Sequence, residues 1–173
     1  MKMNSETLSV LKNFSAINQN LMIKEGNTLT TMSAMKNIVA KAEVSESFER
    51  EVAIYDLNEF LASLSLFKSP VLEFDESFVT IKEENTTTSL KYFYSDPSVV
   101  TTPSKTIKMP SKEVTFSLKG EDLTKLKRAA GVIGAPDLVL ERKDTGSFLT
   151  VKDKKNDTAN TFSLDVTTTS EGN

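Results

Sequence analysis

The stretch VAIYDLNEFLASLSL, residues 52–66, places a short apolar run directly before a segment with helical periodicity. The run has the length of a buried strand, whereas the segment after it carries large apolar side chains at the spacing of one helix face. These side chains are Leu57, Phe60, Leu61, Leu64 and Phe67. The stretch therefore predicts a strand over residues 51–55 and a helix over residues 57–67, which Pro70 stops.

An internal repeat accompanies this pattern. The pair Glu-Val stands before the helix at 51–52 and again at 113–114, and FVTIK at 78–82 is similar to FLTVK at 148–152. Such self-similarity indicates a repeated unit, here a strand, a helix and three strands. The first unit is diverged, the second and third are recognisable, and a fourth is missing.

The remaining elements follow from periodicity and turn signals. Apolar residues after Asn4 and Ser5, either of which can cap a helix, predict a first helix of about three turns, and a third helix is predicted over 122–133. Further strands are predicted at 21–23, 28–32, 38–44, 71–74, 78–82, 89–94, 113–118, 138–141, 148–152 and 161–166.

The stretch DPSVVTTPSKTIKMP, residues 96–110, holds three prolines and has no regular period. It is typical of an extended connector. The sequence therefore predicts a first domain over residues 1–95 and a second over residues 111–173.

The 173 residues contain no cysteine and no histidine. The missing cysteine excludes disulfides, thiolate metal sites and cysteine nucleophiles. The missing histidine removes the commonest general base and the commonest transition-metal ligand. No apolar run approaches the roughly 20 residues of a membrane span, and residues 1–7 lack the plan of a signal peptide. We therefore expect an intracellular protein with no membrane segment, no metal and no cofactor.

An enzyme that uses paired carboxylates is the least favoured alternative. The candidate pairs are Asp153 with Asp157 and Glu83 with Glu84. Both pairs lie in charged turn segments, KDKKND and KEEN, which more often mark solvent-exposed loops than a desolvated active site.

Two predicted helices carry cations opposite their apolar face. The first carries Lys12, and the third carries Lys125 and Arg128 with Lys127 beside them. One interpretation is ordinary solvated surface. The other is a shared basic surface for DNA, which a net charge of −3 permits if the acidic residues lie elsewhere. A handful of phosphate contacts gives dissociation constants of roughly 10⁻⁴ to 10⁻⁶ M, so such a surface would let DNA slide.

Four segments, in this order along the chain, resemble one known family. They are LKNFSAIN at 11–18, VAIYDLNEFL at 52–61, DPSVV at 96–100 and EDLTKL at 121–126. The chain is similar to the sliding clamps, the DNA polymerase processivity factors, of T-even-type bacteriophages. The resemblance implies an α+β DNA-clamp fold, built from repeated strand-helix-three-strand units, with helices lining a central hole and sheets outside.

The resemblance also implies what the protein does. It implies a non-enzymatic homotrimer that encircles duplex DNA without sequence preference, an ATP-dependent clamp loader that opens the ring, and a replicative polymerase that binds it by a C-terminal peptide. It places the protein in the cytoplasm of the infected bacterial host. The residues expected to face the DNA are Lys12, Lys125, Lys127 and Arg128.

Two further surfaces are expected on this basis. Strands 89–94 and 161–166 would be exposed edges, which invite another chain. We expect them to meet between subunits through Leu90 and Tyr92 on one side and Phe162 and Leu164 on the other, unless both strands are ordinary members of one sheet. The polymerase peptide is expected in a groove near the connector, which is otherwise a plain linker. That groove would be lined by Val99, Val100, Ile107 and Met109.

Family chains continue with a further helix and strands where this sequence ends. We therefore expect either a fragment or a shortened clamp, with apolar surface exposed at Leu123, Leu126 and Val139. The alternative function is a structural phage β-protein, such as a tail or baseplate module, that does not encircle DNA.

Overall fold

The computed structural model describes residues 1–103, 111 and 113–170, with the side chain of residue 170 left aside. The chain divides into two compact units, Met1–Thr106 and Ile107–Asn173. Among the described residues, four strands follow the first helix, three follow the second and four follow the third, and a single strand directly precedes each of the last two helices. This order agrees with the α+β class and with the repeat predicted from the sequence.

The first unit contains two helices and seven strands among its described residues, followed by a short 3-10 helix at Pro97–Val99. All of its sheets are antiparallel, in the orders β1-β4, β2-β3 and β5-β6-β7. The elements are α1 Ser5–Ser15, β1 Leu21–Ile23, β2 Gly26–Met32, β3 Val39–Phe48, β4 Val52–Ile54, α2 Leu57–Ser65, β5 Pro70–Phe74, β6 Phe78–Glu83 and β7 Ser89–Phe93.

Both helices of the first unit begin at a side-chain cap and bury one face. Asn4 accepts a hydrogen bond from the Thr7 amide at 2.7 Å, and Asp56 accepts from the Asn58 and Glu59 amides at 2.9 and 3.0 Å. These bonds satisfy amides that have no partner within the helix. The two helices pack on each other and on the strands through a buried core of Leu11, Phe14, Leu57, Phe60 and Leu64.

The second unit contains one helix and five strands among its described residues. They are β8 Val114–Phe116, α3 Gly120–Ile133, β9 Asp137–Lys143, β10 Gly146–Lys152, β11 Phe162–Val166 and β12 Thr168–Ser170. The sheets have the orders β11-β10-β9 and β12-β8. Its buried core is small, comprising Leu126, Leu149 and Val151.

The repeated sequence motif occupies equivalent places in the two units. FVTIK lies in β6 and FLTVK in β10, each the middle strand of a three-stranded sheet. In both strands the apolar residues at the second and fourth motif positions are buried: Val79 and Ile81, Leu149 and Val151. The motif therefore records a shared burial pattern.

Several element boundaries differ from the sequence-based expectation. Pro70 does not simply stop α2, because the helix ends at Ser65 and Pro70 opens β5. Strand β3 continues to Phe48, and β12 was not predicted. Leu126 is buried against β10 and not exposed as expected, whereas Leu123 is 44% exposed.

Candidate functional site

Four cations lie on the exposed sides of two helices. Lys12 is exposed in the last turn of α1, and Lys125, Lys127 and Arg128 are exposed on α3. Leu11 and Leu126, each next to a cation in sequence, are the buried counterparts. The amphipathic pattern thus directs these positive charges to solvent on each helix.

Buried polar contacts fix the N-terminus of α1. The residue Glu46 is only 9% exposed, and its carboxylate accepts hydrogen bonds from the Asn4 amide, at 2.6 Å, and from the Thr7 hydroxyl. Burial raises the pKa of Glu46, but these hydrogen bonds outweigh it and hold the pKa below the ordinary value of 4.5. The helix that carries Lys12 is therefore anchored to β3 by an ionised carboxylate.

The cations of α3 differ in their local partners. Lys125 contacts the Asp122 carboxylate at 3.2 Å, one turn earlier on the same helix. Among the described residues, no carboxylate lies within 4.0 Å of the Lys127 ammonium or the Arg128 guanidinium. Among the described residues, Lys127 and Arg128 are therefore the cations of this helix that no carboxylate compensates.

Strand β7 forms one edge of its sheet and turns two of its side chains inward. Leu90 and Tyr92 are half-buried and pack on the core. The Tyr92 hydroxyl donates to the Asp56 carbonyl at 3.0 Å, and its ring lies edge-on to Phe60 at 5.2 Å between centroids. Burial, with the nearby Glu59 carboxylate, raises the pKa of Tyr92 to about 12. Tyr92 thus joins the β7 edge to the start of α2.

The other face of β7 is aromatic and cationic. Phe93 is 66% exposed, and its ring lies 5.6 Å from that of Phe78 on β6. The Lys91 ammonium sits 4.3 Å from the centroid of the Phe78 ring, a cation–π distance. The edge therefore presents apolar side chains on the core side and a charge on the outer side.

Strand β11 forms an edge of the sheet in the second unit. Leu164 is half-buried against the Leu126 core, whereas Phe162 is 38% exposed. β9 forms the opposite edge, where Leu138 is 50% exposed. The second unit therefore has apolar side chains near both edges of its sheet.

The expected peptide groove lies only partly within the described residues. Val100 is 7% exposed and packs on Met22 and Ala53, so it anchors the chain after the 3-10 helix. Val99 is 52% exposed. Ile107 and Met109 lie outside the described residues. A cavity of about 540 Å³ opens elsewhere in the first unit, lined in part by Met1, Phe48 and Phe74.

Of the carboxylates proposed as an alternative active site, Glu83 ends β6, and the other three lie in the turn segments that follow β6 and β10. Glu84 is exposed and contacts Lys2 at 2.7 Å, and Asp153 accepts from the Lys155 amide at 2.8 Å within its own turn. Within the described ranges, no three or more acidic side chains converge as metal ligands do. None of the helices described here combines the length and apolar character required to cross a membrane.

Comparison with known proteins gives consistent matches. Residues 2–102 match the family described as DNA polymerase processivity factor. The chain is 33% identical over 171 residues to the sliding clamp of Vibrio phage KVP40, covering 96% of this chain and 77% of that protein. It is 30% identical over 144 residues to the sliding clamp of Escherichia phage RB69, covering 83% of this chain and 63% of that protein.

A solved structure shares the fold. The Proliferating Cellular Nuclear Antigen of Entamoeba histolytica superposes with a TM-score of 0.67 at 14% identity, over 99% of this chain and 76% of that one. Of the two phage relatives, the chain spans about three quarters of the KVP40 sliding clamp and less than two thirds of the RB69 sliding clamp.

Proposed function

Because this chain belongs to the family of DNA polymerase processivity factors, the sliding clamps, we propose that it closes with two further copies into a ring around duplex DNA. The ring tethers the replicative polymerase and performs no chemistry of its own. Its relatives are phage proteins, so it acts in the cytoplasm of the infected bacterial host.

One observation supports the DNA-facing role above the others, namely the exposed basic face of α3. Lys127 and Arg128 have no carboxylate within 4.0 Å among the described residues, so they remain available to phosphates. Lys125 and Lys12 add charge, although Asp122 offsets part of the Lys125 contribution. Contacts to phosphate alone carry no sequence information, so the ring slides on any duplex.

The edges β7 and β11 support the proposed subunit contact. Each is the last strand of its sheet among the described residues, and an open edge offers unpaired backbone groups to another chain. Leu90 and Tyr92 of one chain lie beside Phe162 and Leu164 of the next. The contact joins different surfaces of the two copies, and such a contact closes into a ring when the rotation allows it.

Family membership supports the proposal of two further partners. An ATP-dependent clamp loader opens the ring. The polymerase inserts a C-terminal peptide beside the connector, where Val99 is exposed and where Ile107 and Met109 follow in the sequence. Val100 holds this segment against the first unit.

Topological retention on DNA tests the ring. The protein is loaded with ATP and the clamp loader onto a nicked circular duplex and onto the same duplex cut once, and free protein is removed by gel filtration. We expect protein to stay with the circle and to leave the linear DNA by its ends. Cutting the loaded circle should release it.

The alternative, a structural phage β-protein, predicts a different result. Equal retention on circular and linear duplex, or none on either, would favour that alternative. A blocked linear duplex with a bulky protein bound at each end is the matched control, because it restores retention only for a ring that slides.

A further inference from the structure

The edges of β7 and β11 carry opposite charges on corresponding faces. Lys91 lies in the middle of β7 and is exposed on the side opposite Leu90 and Tyr92. Asp165 lies on β11 and is exposed on the side opposite Leu164 and the core. Within the part of the chain that the structure describes, neither charge has an opposite one within 4.0 Å.

The hydrogen-bond pattern of β7 shows which of its backbone groups point outward. The Tyr94 amide donates to the Ser77 carbonyl at 3.0 Å, so Tyr94 bonds toward β6. This direction alternates along an antiparallel strand, so Tyr92 and Leu90 also bond toward β6. The backbone groups of Lys91 and Phe93 therefore point to the open edge.

The same reasoning applies to β11. Lys143 and Gly146 are paired across a two-residue turn, and a turn of this kind is closed by a hydrogen bond between its first and last residues. Alternation along β10 then directs Leu149 toward β11, where it pairs with Leu164. The backbone groups of the residues on either side of Leu164, Ser163 and Asp165, point to the open edge.

We propose that β7 of one chain pairs antiparallel with β11 of a second copy in a single register that sets Lys91 opposite Asp165. The register rests on the proposed ring and specifies how its subunits meet. It joins outward-pointing backbone groups on both strands. On the core side it sets Leu90 opposite Val166, Tyr92 opposite Leu164, and Tyr94 opposite Phe162.

The neighbouring registers match the two edges less well. A shift of two residues in one direction sets Lys91 opposite Ser163 and Asp165 opposite Ser89, so neither charge meets its opposite directly. A shift in the other direction sets Phe93 opposite Asp165. A shift of one residue joins apolar side chains to the charged face. Only the proposed register sets apolar side chains opposite each other on the core side and also sets Lys91 opposite Asp165 on the other side.

The size of the expected effect determines which experiment tests the register best. An opposite-charge pair across two strands changes a dissociation constant by roughly 1.5- to 5-fold, so it selects the register more than it holds the ring. A disulfide, by contrast, forms only if the two cysteines lie within a narrow range of distances. Directly paired positions lie about 5.5 Å apart at Cα, within disulfide range, whereas diagonal positions lie roughly 7 to 8 Å apart.

Engineered cross-linking tests the register, and the chain offers no native cysteine to interfere. The variant carrying Lys91→Cys and Asp165→Cys should form intermolecular disulfides on mild oxidation, giving linked dimers and trimers on a non-reducing gel. The matched control carries Lys91→Cys and Ser163→Cys, and it should link at least tenfold more slowly. Preferential linking of the control overturns the register.

Charge exchange and solution mass separate this proposal from the ring itself. Lys91→Asp should weaken association roughly 1.5- to 5-fold, and Asp165→Lys added to the same chain should restore it. A three-chain mass without the predicted link refutes the register and leaves the ring intact. A single-chain mass at every concentration refutes both.

Discussion

Among single residues, Glu46 loses contact with water on folding, and its carboxylate gains hydrogen bonds from Asn4 and Thr7 in return. Glu46→Gln should lower the free energy of unfolding by roughly 1.5–3 kcal/mol at neutral pH, because two hydrogen bonds lose their charged acceptor. Denaturant unfolding measures this difference. Glu43→Gln is the matched control, since Glu43 lies on the same strand and its side chain is 73% exposed.

The pH dependence of that difference has a defined sign. The pKa of Glu46 is lower in the folded state than its ordinary value of 4.5, so the stabilisation is fully present above pH 4.5. It is lost as pH falls through the folded-state pKa. The parent and Glu46→Gln should therefore converge in acid, and a difference that stayed constant from neutral pH to strong acid would contradict the assignment.

Tyr92 provides a second prediction at this scale. Tyr92→Phe removes the hydroxyl that donates to the Asp56 carbonyl and should lower the free energy of unfolding by about 0.5–1.5 kcal/mol. Tyr55→Phe should have little effect, because Tyr55 is 59% exposed. Thermal unfolding of both variants measures the contrast. Equal losses would mean that the buried hydrogen bond contributes nothing.

The sequence predicts which side chains are exposed better than it predicts which side chains contact each other. The exposure of Lys12 and of the α3 cations follows from helical periodicity, and the cap at Asn4 follows from its residue type. The contact between Glu46 and Thr7 joins residues 39 positions apart, which no local pattern encodes. Asp122 could have been found from its spacing, since it lies three residues before Lys125 on the same helix.

At the scale of elements, the basic face of α3 predicts the salt dependence of DNA binding. Each lost phosphate contact lowers the slope of log K against log salt by about 0.9 on duplex DNA. Lys127→Gln with Arg128→Gln should therefore reduce the slope by up to roughly 1.8, and Lys125→Gln by less, because Asp122 already neutralises part of its charge. Fluorescence anisotropy with a labelled duplex at several salt concentrations measures it.

A matched control separates a local effect from one of net charge. Lys36→Gln, compared with Lys127→Gln alone, removes one positive charge from the turn between β2 and β3, which belongs to neither basic helix. An equal loss of slope in this control would show that α3 has no special role in contacting DNA.

The second unit depends on few buried side chains. Leu126→Ala should lower the stability of that unit by roughly 2–5 kcal/mol, a large share of what a small unit possesses. Hydrogen exchange should show lost protection in β9, β10 and β11, with α1 and α2 unchanged. Val132→Ala, at a residue 77% exposed on the same helix, should leave both units unchanged.

Element boundaries show where local sequence stops being sufficient. The core of α2 was predictable because its apolar spacing and the cap at Asp56 are local signals. Strand β3 runs on past residue 44 because its far end pairs with Gly26 and holds the start of α1, both of which are tertiary contacts. β12 is a strand because it pairs with β8, more than 50 residues earlier in the sequence. Its three short polar residues do not predict a strand by themselves.

For the whole molecule, the internal repeat and the family both indicate the clamp fold, whereas the net charge taken alone points away from a DNA partner. A net charge of −3 argues against a DNA partner, yet Lys125, Lys127 and Arg128 are all exposed on the single helix α3. The order of a helix and three strands was predictable from the FVTIK and FLTVK motifs. The register proposed between the edges of two copies was not, because it needs backbone directions that only the structure supplies.

Assembly and DNA contact should respond differently to salt. A protein that makes 6 to 10 phosphate contacts loses about 10³- to 10⁵-fold in affinity between 50 and 200 mM salt, because counterions compete for the phosphates. The proposed contact between chains relies on backbone hydrogen bonds and apolar pairs, with one exposed ion pair, so its dissociation constant should change only a few-fold. Light scattering behind size exclusion, over a range of concentrations, should therefore show a mass approaching three times 19.1 kDa at both salt concentrations. Loss of that mass at 200 mM salt would mean that charge pairs, and not the strand edges, hold the chains together.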